Sequence, residues 1–447
     1  MFMTLTDVRR VLVLTFALAC AAPPAGAESL LEIYRMAEQK DPAFRESRAN
    51  LSAVAENVTQ AKGNVFRPVI AVQGAGSRNR QDVQAAFGNT GRTVFNSRSL
   101  SIGITQPVYY YDRWMRVEQA NQEVAQAEVQ VAVARQDLVV RVAERYFDIL
   151  AAEDNLEFAK AEENSLRRQL EQIEQRFEVG LTAITDVQEA RAGYDRAAAA
   201  TIVAQNQLEN AIEALRETTG VYYADLAPLG EDLELVQPEP AKIDAWTELA
   251  VQQNLSVAAA VLGAEIAEQE IAVQKAGRLP TLDIVGDYGH RQTGGQFGDA
   301  IVNSGSIGMQ LNVPIYSAGL ISSRTRQAHH RHSEALARLE AAQRAALRQS
   351  RQAFLGIRAD ISSVKALEQA VLSSKTALES TQAGFEVGTR TAVDVVDAER
   401  GLFQARRDYA RARYDYILDV LRLKQAAGTL SPEDVAAADG LLDDAGP

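Results

Sequence analysis

The sequence predicts a mostly α-helical fold with a small membrane β-barrel contribution, made by duplicating one unit. Residues 112–179 contain neither Pro nor Gly, and 318–387 form a second long run of helical pattern. Helices of this length are stable only when a continuous apolar seam packs on other helices. The tetrapeptide Phe-Glu-Val-Gly ends at Gly180 and again at Gly388, each time with an Asp six residues later. A repeat this wide indicates a doubled unit.

The N-terminus carries the pattern of a secretory signal peptide. Two Arg residues precede an apolar run at 11–19, and the small residues 25–27 follow it. The run is too short to span a membrane, so we expect a signal peptide at 1–27 and a mature chain that starts at Glu28. An alternative stays open, in which the chain is a lipoprotein acylated at Cys20. Because Cys20 is the only cysteine, cleavage after residue 27 leaves neither disulfides nor a thiolate nucleophile.

The charge balance argues against a nucleic-acid partner. Lys and Arg total 46 against 59 Asp and Glu, a net charge of -13, whereas binding to phosphates needs a basic face. Aromatic residues make up only 6%, which is typical of long helices rather than of a compact globule. The mature chain has no continuous run of about 18 apolar residues, so we expect no transmembrane helix.

The first repeat, 28–220, begins with a helix at about 30–63. Pro42 interrupts this helix, which predicts a kink or a new start there. Apolar residues then alternate with small or polar ones in two strands, at about 68–77 and 99–107, so that each strand has one apolar face. The Gly- and Asn-rich stretch between the strands is predicted to be a loop.

The long helix of the first repeat, 112–179, rises about 100 Å at 1.5 Å per residue. Gly180 ends it as a C-cap glycine does, and the return helix occupies 186–217. The apolar seam has spacings near seven, which predicts left-handed supercoiling. Its members are Val117, Val124, Val131, Leu138, Val142, Ile149 and Leu156.

A loose, acidic linker at 221–242 separates the repeats, and 243–428 repeats the same plan. An acidic tail, 429–447, is predicted to be disordered. Within the second repeat we expect a helix at 246–276, strands at about 281–289 and 306–314 with a Gly-rich loop between them, a long helix at 318–387 and a return helix at 391–427.

Aromatic residues cluster where the strands give way to the long helices. One interpretation is ordinary packing at a strand–helix junction. The other is anchorage at a membrane interface, where amphipathic rings are enriched, and the equivalent place in the second repeat supports it. The cluster comprises Tyr109, Tyr110, Tyr111 and Trp114 in the first repeat and Tyr316 in the second.

Four strands cannot form a membrane structure by themselves. The edge N–H and C=O groups of an open sheet would be unsatisfied in lipid, and the smallest barrels have about eight strands. The chain must therefore share a barrel with copies of itself, about eight strands from two copies or about twelve from three. The sequence thus predicts a cyclic oligomer in which the long helices continue from the barrel as a cylinder of coiled pairs.

Several segments together resemble a known family. They are 176–191, 385–398, the tripeptide Gln106-Pro107-Val108 and the pair Tyr146-Phe147. The chain resembles the TolC family of outer-membrane efflux and secretion channels over essentially the whole mature sequence. The resemblance implies a homotrimer with a 12-stranded β-barrel in the outer membrane, an α-helical barrel in the periplasm, and a tip that opens like an iris.

The same resemblance implies a passive channel without enzymatic activity or cofactors. Substrates would be delivered by a periplasmic adaptor (membrane fusion) protein and an inner-membrane transporter of the RND, ABC or MFS type, for multidrug efflux or type I protein secretion. Two turns at the tunnel tip would contact the adaptor. They are Val179-Gly180-Leu181 and Val387-Gly388-Thr389.

By the same resemblance, Asp394 and Asp397 match an acidic ring at the tunnel mouth. Three residues apart on a helix, they share a face, and a trimer would place six carboxylates around one axis, where they favour cations. A structural interpretation competes for Asp394. Thr391 and Asp394 have the spacing of a capping box, and an early Asp also interacts well with the helix dipole.

A polar latch that ties the two helical hairpins together near the tip is also implied. Thr185, Asp186 and Arg390 match its members, whereas Phe385 stands where the family pattern has Tyr. Without that hydroxyl a hydrogen bond to Asp186 is missing, worth about 0.5–1.5 kcal/mol. We therefore expect the closed state to be held less firmly in this protein.

Other candidate sites are weak. His329, His330 and His332 start a helix, but adjacent histidines do not share a helical face, so we predict solvated side chains rather than metal ligands. No phosphate-binding glycine loop or nucleophile–base spacing is present in the sequence. The alternative to a channel is a periplasmic or peripheral coiled-coil scaffold, which would need neither the strands nor the aromatic belts.

Overall fold

We analysed the fold in a computed structural model, which describes residues 28–83, 91–223, 225–230, 233–295 and 298–443. The predicted signal peptide and Cys20 lie outside the described residues. In chain order the elements are α1 (Leu30–Lys40), α2 (Pro42–Phe66), β1 (Val69–Val83), β2 (Gly91–Tyr109), α3 (Tyr111–Glu178), α4 (Ile184–Thr219), α5 (Ile243–Gln253), α6 (Leu255–Ala276), β3 (Thr281–Thr293), β4 (Ala300–Asn312), α7 (Leu320–Glu386), α8 (Ala392–Ala427) and α9 (Pro432–Asp439).

In each repeat, one polar side chain divides the first helical segment into two helices. The carboxylate of Asp41 accepts a hydrogen bond from the Phe44 amide at 2.7 Å and so caps α2. Asn254 caps α6 by accepting from the Ser256 amide at 2.9 Å, and its own amide donates to the Ala426 carbonyl at 3.0 Å. The expectation of one helix at 246–276 was therefore wrong, because the Asn254 side chain competes for backbone groups.

The four strands form one antiparallel sheet in the order β1-β2-β3-β4. The strands are longer than the sequence suggested, and most of the predicted loops at 77–99 and 290–306 is paired strand. Polar residues such as Asp82 and Arg92 stand directly opposite each other in the ladder. Backbone hydrogen bonds continue where the side chains are polar, whereas the alternating pattern marks only the part with an apolar face.

The tail is not disordered over its described residues, because α9 packs against α1. The amide of Leu31 donates to Asp439 Oδ1 at 3.0 Å, and the Asp443 amide donates to the Pro228 carbonyl at 2.9 Å. Val435 of α9 is buried in the main core. A short amphipathic segment lacks a strong pattern, so only this apolar contact reveals the helix.

The main core surrounds the middle of α3. Tyr146 is fully buried and donates its hydroxyl to the Ala227 carbonyl at 2.7 Å, while Phe147 stacks on Tyr414 with ring centroids 5.6 Å apart. The predicted linker takes part, since Tyr223 and Leu226 belong to this core. The linker is thus irregular but packed against the core around the middle of α3.

One stretch of the described residues, Ile243–Ala276, is long and apolar enough to cross a membrane by length and composition. From the sequence we expected no transmembrane helix in the mature chain. Asn254 divides this stretch into α5 and α6, and α6 packs against both α3 and α7. We interpret it as two helices of the helical wall.

Candidate functional sites: the sheet edges and the hairpin tips

One face of the sheet is apolar and exposed in the single chain. Direct partners across the ladder, such as Ile70 with Ile104 and Ile284 with Met309, share this face. The side chain of Ile307 is 84% exposed there, which would be costly in water. The opposite face carries small and polar residues, among them Gln73, Ser101, Gly103, Asp287, Ser306 and Gln310.

The outer edges of β1 and β4 have no partner strand among the described residues. Each edge presents a row of backbone N–H and C=O groups, which lipid cannot satisfy. An apolar outer face with two open edges fits a segment of a closed barrel, in which β1 of one chain pairs with β4 of another.

The aromatic residues at the base of the sheet fall into two groups. Trp114 and Tyr316 are exposed, and Trp114 makes an edge-on contact with Phe66 at 4.9 Å between ring centroids. Tyr109 and Tyr111 are also partly exposed. Tyr110 is different, because its hydroxyl donates to Asp283 Oδ2 at 2.6 Å and the Arg113 guanidinium covers its ring. Tyr110 therefore ties β3 to α3, a packing role that the sequence left open.

The two predicted turns lie at the far ends of the long helices. Gly180 and Gly388 have φ angles of 76° and 80°, in the left-handed region that favours glycine. Val179, Leu181 and Val387 beside them are 69%, 77% and 75% exposed. Each hairpin thus ends in a tight turn that presents apolar side chains to solvent.

The acidic pair lies at the start of α8. Asp394 completes a capping box, since its carboxylate accepts from the Thr391 amide at 2.8 Å and the Thr391 hydroxyl accepts from the Asp394 amide at 3.3 Å. The hydrogen bonds from Thr391 lower the pKa of Asp394 below its usual value. Asp397 is exposed and lies 3.6 Å from Arg400. The capping role of Asp394 is compatible with a place in a ring, because the residue is only half-buried.

The implied latch residues do not bond to one another within one described chain. The Asp186 carboxylate accepts from the Thr182 hydroxyl and from the Ala183 amide, the latter at 3.3 Å, and so holds its own turn. The stem of Arg390 packs against Gly384, where a Cβ would come within 2.7 Å of Arg390 Cγ. Thr185 is exposed at the start of α4.

Contacts that the sequence analysis missed join the two hairpins instead. The Arg176 guanidinium lies 4.8 Å from the centre of the Phe385 ring. One to three turns further from the tip, Gln169 Nε2 donates to the Ala392 carbonyl at 3.1 Å, and the Ser165 hydroxyl donates to Glu399 Oε1 at 2.6 Å. No short-range pattern marks these residues, because their partners lie more than 200 positions away in the sequence.

The histidines of α7 lie apart from both regions. His329 and His330 are exposed on successive positions of the helix. Over the described ranges no three His, Cys, Asp or Glu side chains come together in a way that could hold a metal ion.

These features define a class of protein. A barrel segment that needs neighbouring copies, joined to helices of 68 and 67 residues, is the protomer of an outer-membrane channel with a helical tunnel. A profile of the outer membrane efflux protein family matches residues 33–221 and 246–429, the two repeats. The chain belongs to this family.

Named relatives and solved structures agree. The outer membrane protein TolC of Vibrio cholerae is 40% identical over 429 residues, which cover 94% of this chain and 95% of that protein. TolC of Escherichia coli is 35% identical, covering 93% and 85%. The CmeC outer membrane channel of Campylobacter jejuni superposes with a TM-score of 0.78 at 16% identity, covering 93% of this chain and 90% of that one.

The predicted fold class and channel function are thereby confirmed. The protein is an outer-membrane efflux or secretion channel with its helical tunnel in the periplasm, and four strands per chain complete a shared, trimeric barrel. The family is one of channels rather than enzymes, and its members work with inner-membrane pumps and periplasmic adaptors. The scaffold alternative fails, because a scaffold has no use for an open-edged apolar sheet.

Proposed function

We propose that substrates reach this tunnel at the hairpin tips, where a periplasmic adaptor docks and links the channel to an inner-membrane transporter of the RND, ABC or MFS type. The exposed apolar side chains at both turns support this proposal. Val179, Leu181 and Val387 surround two glycines that fix the turns, so the tip offers a preformed surface with little backbone freedom to lose on binding.

Photocrosslinking in living cells tests the docking site. A crosslinking amino acid at Leu181 or Val387 should capture the adaptor. The same amino acid at Ile301 provides the control, because this residue is 63% exposed on the sheet, away from the hairpin tips. Equal capture from all three positions, or capture from Ile301 alone, would contradict the proposed docking site.

Relatives suggest more than one kind of cargo. AprF of Pseudomonas aeruginosa, named for alkaline protease secretion, is 29% identical over 76% of this chain, and TolC of Vibrio cholerae is 40% identical. We propose that the tunnel serves both small-molecule efflux and type I protein secretion. Deletion of the gene should then raise drug susceptibility and abolish secretion of a type I substrate. If the deletion strain loses only drug resistance or only secretion, the channel serves only that one kind of cargo.

The acidic pair is proposed to form a cation-selective ring at the tunnel mouth. Three chains would contribute six carboxylates from Asp394, which is half-buried, and Asp397, which is exposed, both at the start of α8. Asp397→Asn should lower cation selectivity, measured as the reversal potential across a planar bilayer in a salt gradient. Asp408→Asn, an exposed carboxylate further along α8, serves as the control. Equal reversal potentials for the two variants would refute the ring.

The latch is proposed to restrain opening of the tip. Thr185, Asp186 and Arg390 lie beside the turns, and Phe385 lacks the hydroxyl that would reach Asp186. Phe385→Tyr should restore that bond and lower the open fraction in single-channel recordings. An unchanged open fraction in this variant would show that the latch does not operate here.

The exposed rings at the base of the sheet are proposed to lie at the membrane interface. Trp114 and Trp246 are the only tryptophans, and Trp246 is buried. Brominated lipids should therefore quench Trp114 fluorescence most strongly when the bromine sits near the headgroups. Quenching that is insensitive to bromine depth would place Trp114 away from the interface.

A further inference from the structure

The contact between Ser165 and Glu399 is unusual among the polar contacts that join α3 to α8. Most of these contacts lie at least partly in solvent, such as Arg411 with Asp148 at 2.9 Å and Arg422 with Glu144 at 2.6 Å. Glu399 is only 4% exposed. A carboxylate buried to this degree is costly to keep ionised unless it is fully hydrogen-bonded.

Glu399 is not fully hydrogen-bonded. Its Oε1 accepts from the Ser165 hydroxyl at 2.6 Å, but its Oε2 is buried without a hydrogen-bond partner among the described residues. One helical turn earlier, Val396 packs with Leu166 of α3 and Ala197 of α4 in a small apolar cluster. The carboxyl group therefore sits at the seam where the second hairpin packs on the first.

Cations near this seam do not neutralise Glu399. Arg168 of α3 is close enough to act on it, but Glu162 of the same helix acts in the opposite sense. Arg407 of α8 is engaged by Glu162 at 3.3 Å, and Arg196 of α4 lines a surface groove together with Glu162 and Arg407. Burial dominates and raises the pKa of Glu399 above its usual value, against the opposing effects of the Ser165 hydroxyl, the Arg168 guanidinium and the Gln382 side-chain amide.

We propose that Glu399 is a positioning residue of the gate, whose protonated carboxyl, held by Ser165, keeps the two hairpins together in the closed tunnel. The proposal rests on opening at the tip, as in the proposed function. When α8 moves away from α3, the hydrogen bond to Ser165 breaks and the carboxyl meets water, where it ionises. Gln382 of α7 lies near the same carboxyl, so both helices of the second hairpin take part in this contact.

The sign of the pH effect follows from linkage. The closed state binds the Glu399 proton more tightly than the open state, so acid stabilises closure. This contribution is complete below the ordinary pKa of a glutamate and is lost as the pH rises through the raised pKa of the closed state. The open fraction of the wild-type channel should therefore increase with pH.

Single-channel recording from purified protein tests the proposal with three variants and a control. Glu399→Ala and Ser165→Ala should each raise the open fraction about three- to tenfold, the change expected when one buried hydrogen bond is lost. Glu399→Gln keeps the acceptor for Ser165 and has no proton to lose, so it should stay closed and lose the pH dependence. Asp408→Asn, an exposed acid on α8, should behave as wild type.

Each outcome decides the matter. The proposal is overturned if Glu399→Gln and Glu399→Ala behave alike, or if Glu399→Gln keeps the wild-type pH profile. If Glu399→Ala does not assemble, Ser165→Ala carries the same test, because it leaves the carboxyl in place. A wild-type protein that forms no conducting pore would instead overturn the channel function itself. An additive effect in the Ser165→Ala, Glu399→Ala double variant would show that the two residues are not coupled.

Discussion

The two hairpin tips share a tetrapeptide but hold their return helices differently. In the second repeat Thr391 and Asp394 form a complete capping box at the start of α8. In the first repeat Ala183 occupies the equivalent place, so only half of the box exists, with Asp186 accepting from the Ala183 amide at 3.3 Å. Asp186 takes a second hydrogen bond from Thr182 instead. The start of α8 is therefore fixed more firmly than that of α4.

The copies also differ where they face each other. Arg176 immediately precedes the tetrapeptide of the first repeat, and its guanidinium covers the ring of Phe385. Gly384 stands at the equivalent position of the second repeat and leaves room for the stem of Arg390. Duplication gave both hairpins the same helices and turns. The two copies then diverged at the residues through which the hairpins contact each other.

The largest expected difference in stability is between substitutions of the two glycines that end the return helices. Gly220 and Gly428 have φ angles of 70° and 76°, but only at Gly428 would a Cβ overlap a neighbour, the carbonyl of Gln253. Gly428→Ala should lower the free energy of unfolding by about 3 kcal/mol, and Gly220→Ala by about 1 kcal/mol. Denaturant unfolding of the detergent-solubilised protein measures both, and equal losses would contradict the difference in packing.

The helix caps should give the next largest effect. Thr391→Ala removes the hydroxyl that accepts from the Asp394 amide and should cost about 1 kcal/mol. Ala183→Thr would complete the box of the first repeat and should stabilise α4 by up to about 1 kcal/mol. Hydrogen exchange at the first turns of α4 and α8 measures both changes locally. If the Ala183→Thr variant exchanges faster at α4, the comparison between the two caps is mistaken.

The ring contact at the tip should matter less. Arg176→Ala removes the guanidinium from the Phe385 ring and should cost about 0.5–1 kcal/mol, since such contacts are weak at exposed sites. Arg176→Lys should recover part of this loss because it keeps the charge. A thermal melt in which Arg176→Ala and wild type coincide would indicate that the ring and the guanidinium do not interact in solution.

The repeats should also differ in how their stability depends on pH. Burial, and then neighbouring carboxylates, raise the pKa of Glu153 on α3 to about 7 and that of Asp360 on α7 to about 6. Each group holds its proton more tightly in the folded state, so its contribution to stability is full below the ordinary carboxyl pKa and is lost as the pH rises through the raised value.

Glu153→Gln should therefore flatten the fall in melting temperature as the pH rises from the ordinary carboxyl pKa to about 7, and Asp360→Asn should flatten the fall up to about pH 6. Glu128→Gln, an exposed acid on α3, should leave the profile unchanged. Identical profiles for all three variants and the wild type would show that neither the Glu153 nor the Asp360 carboxyl is buried in solution.

Much of the architecture could be read from local pattern. The break at Pro42, the tip turns at Gly180 and Gly388 and the alternating strand cores each follow from backbone geometry within a few residues. The length of the strands did not, because it depends on backbone pairing across the sheet. The break at Asn254 was missed although its side chain caps α6 locally, and its bond to the Ala426 carbonyl could not be foreseen. Tyr110 was grouped with the exposed rings because nothing near it in the sequence reveals Asp283.

By itself, the sequence determined the doubled unit, the long helices and the need for neighbouring chains, since periodicity, helix-stopping glycines and unsatisfied strand edges are local or additive properties. The tertiary structure alone decided which residues join the hairpins. Arg176 meets Phe385, and Ser165 meets Glu399, because α3 and α8 come together only after both repeats fold. Burial of Glu399 is likewise a property of that packing, and no pattern along α8 distinguishes it from an exposed acid.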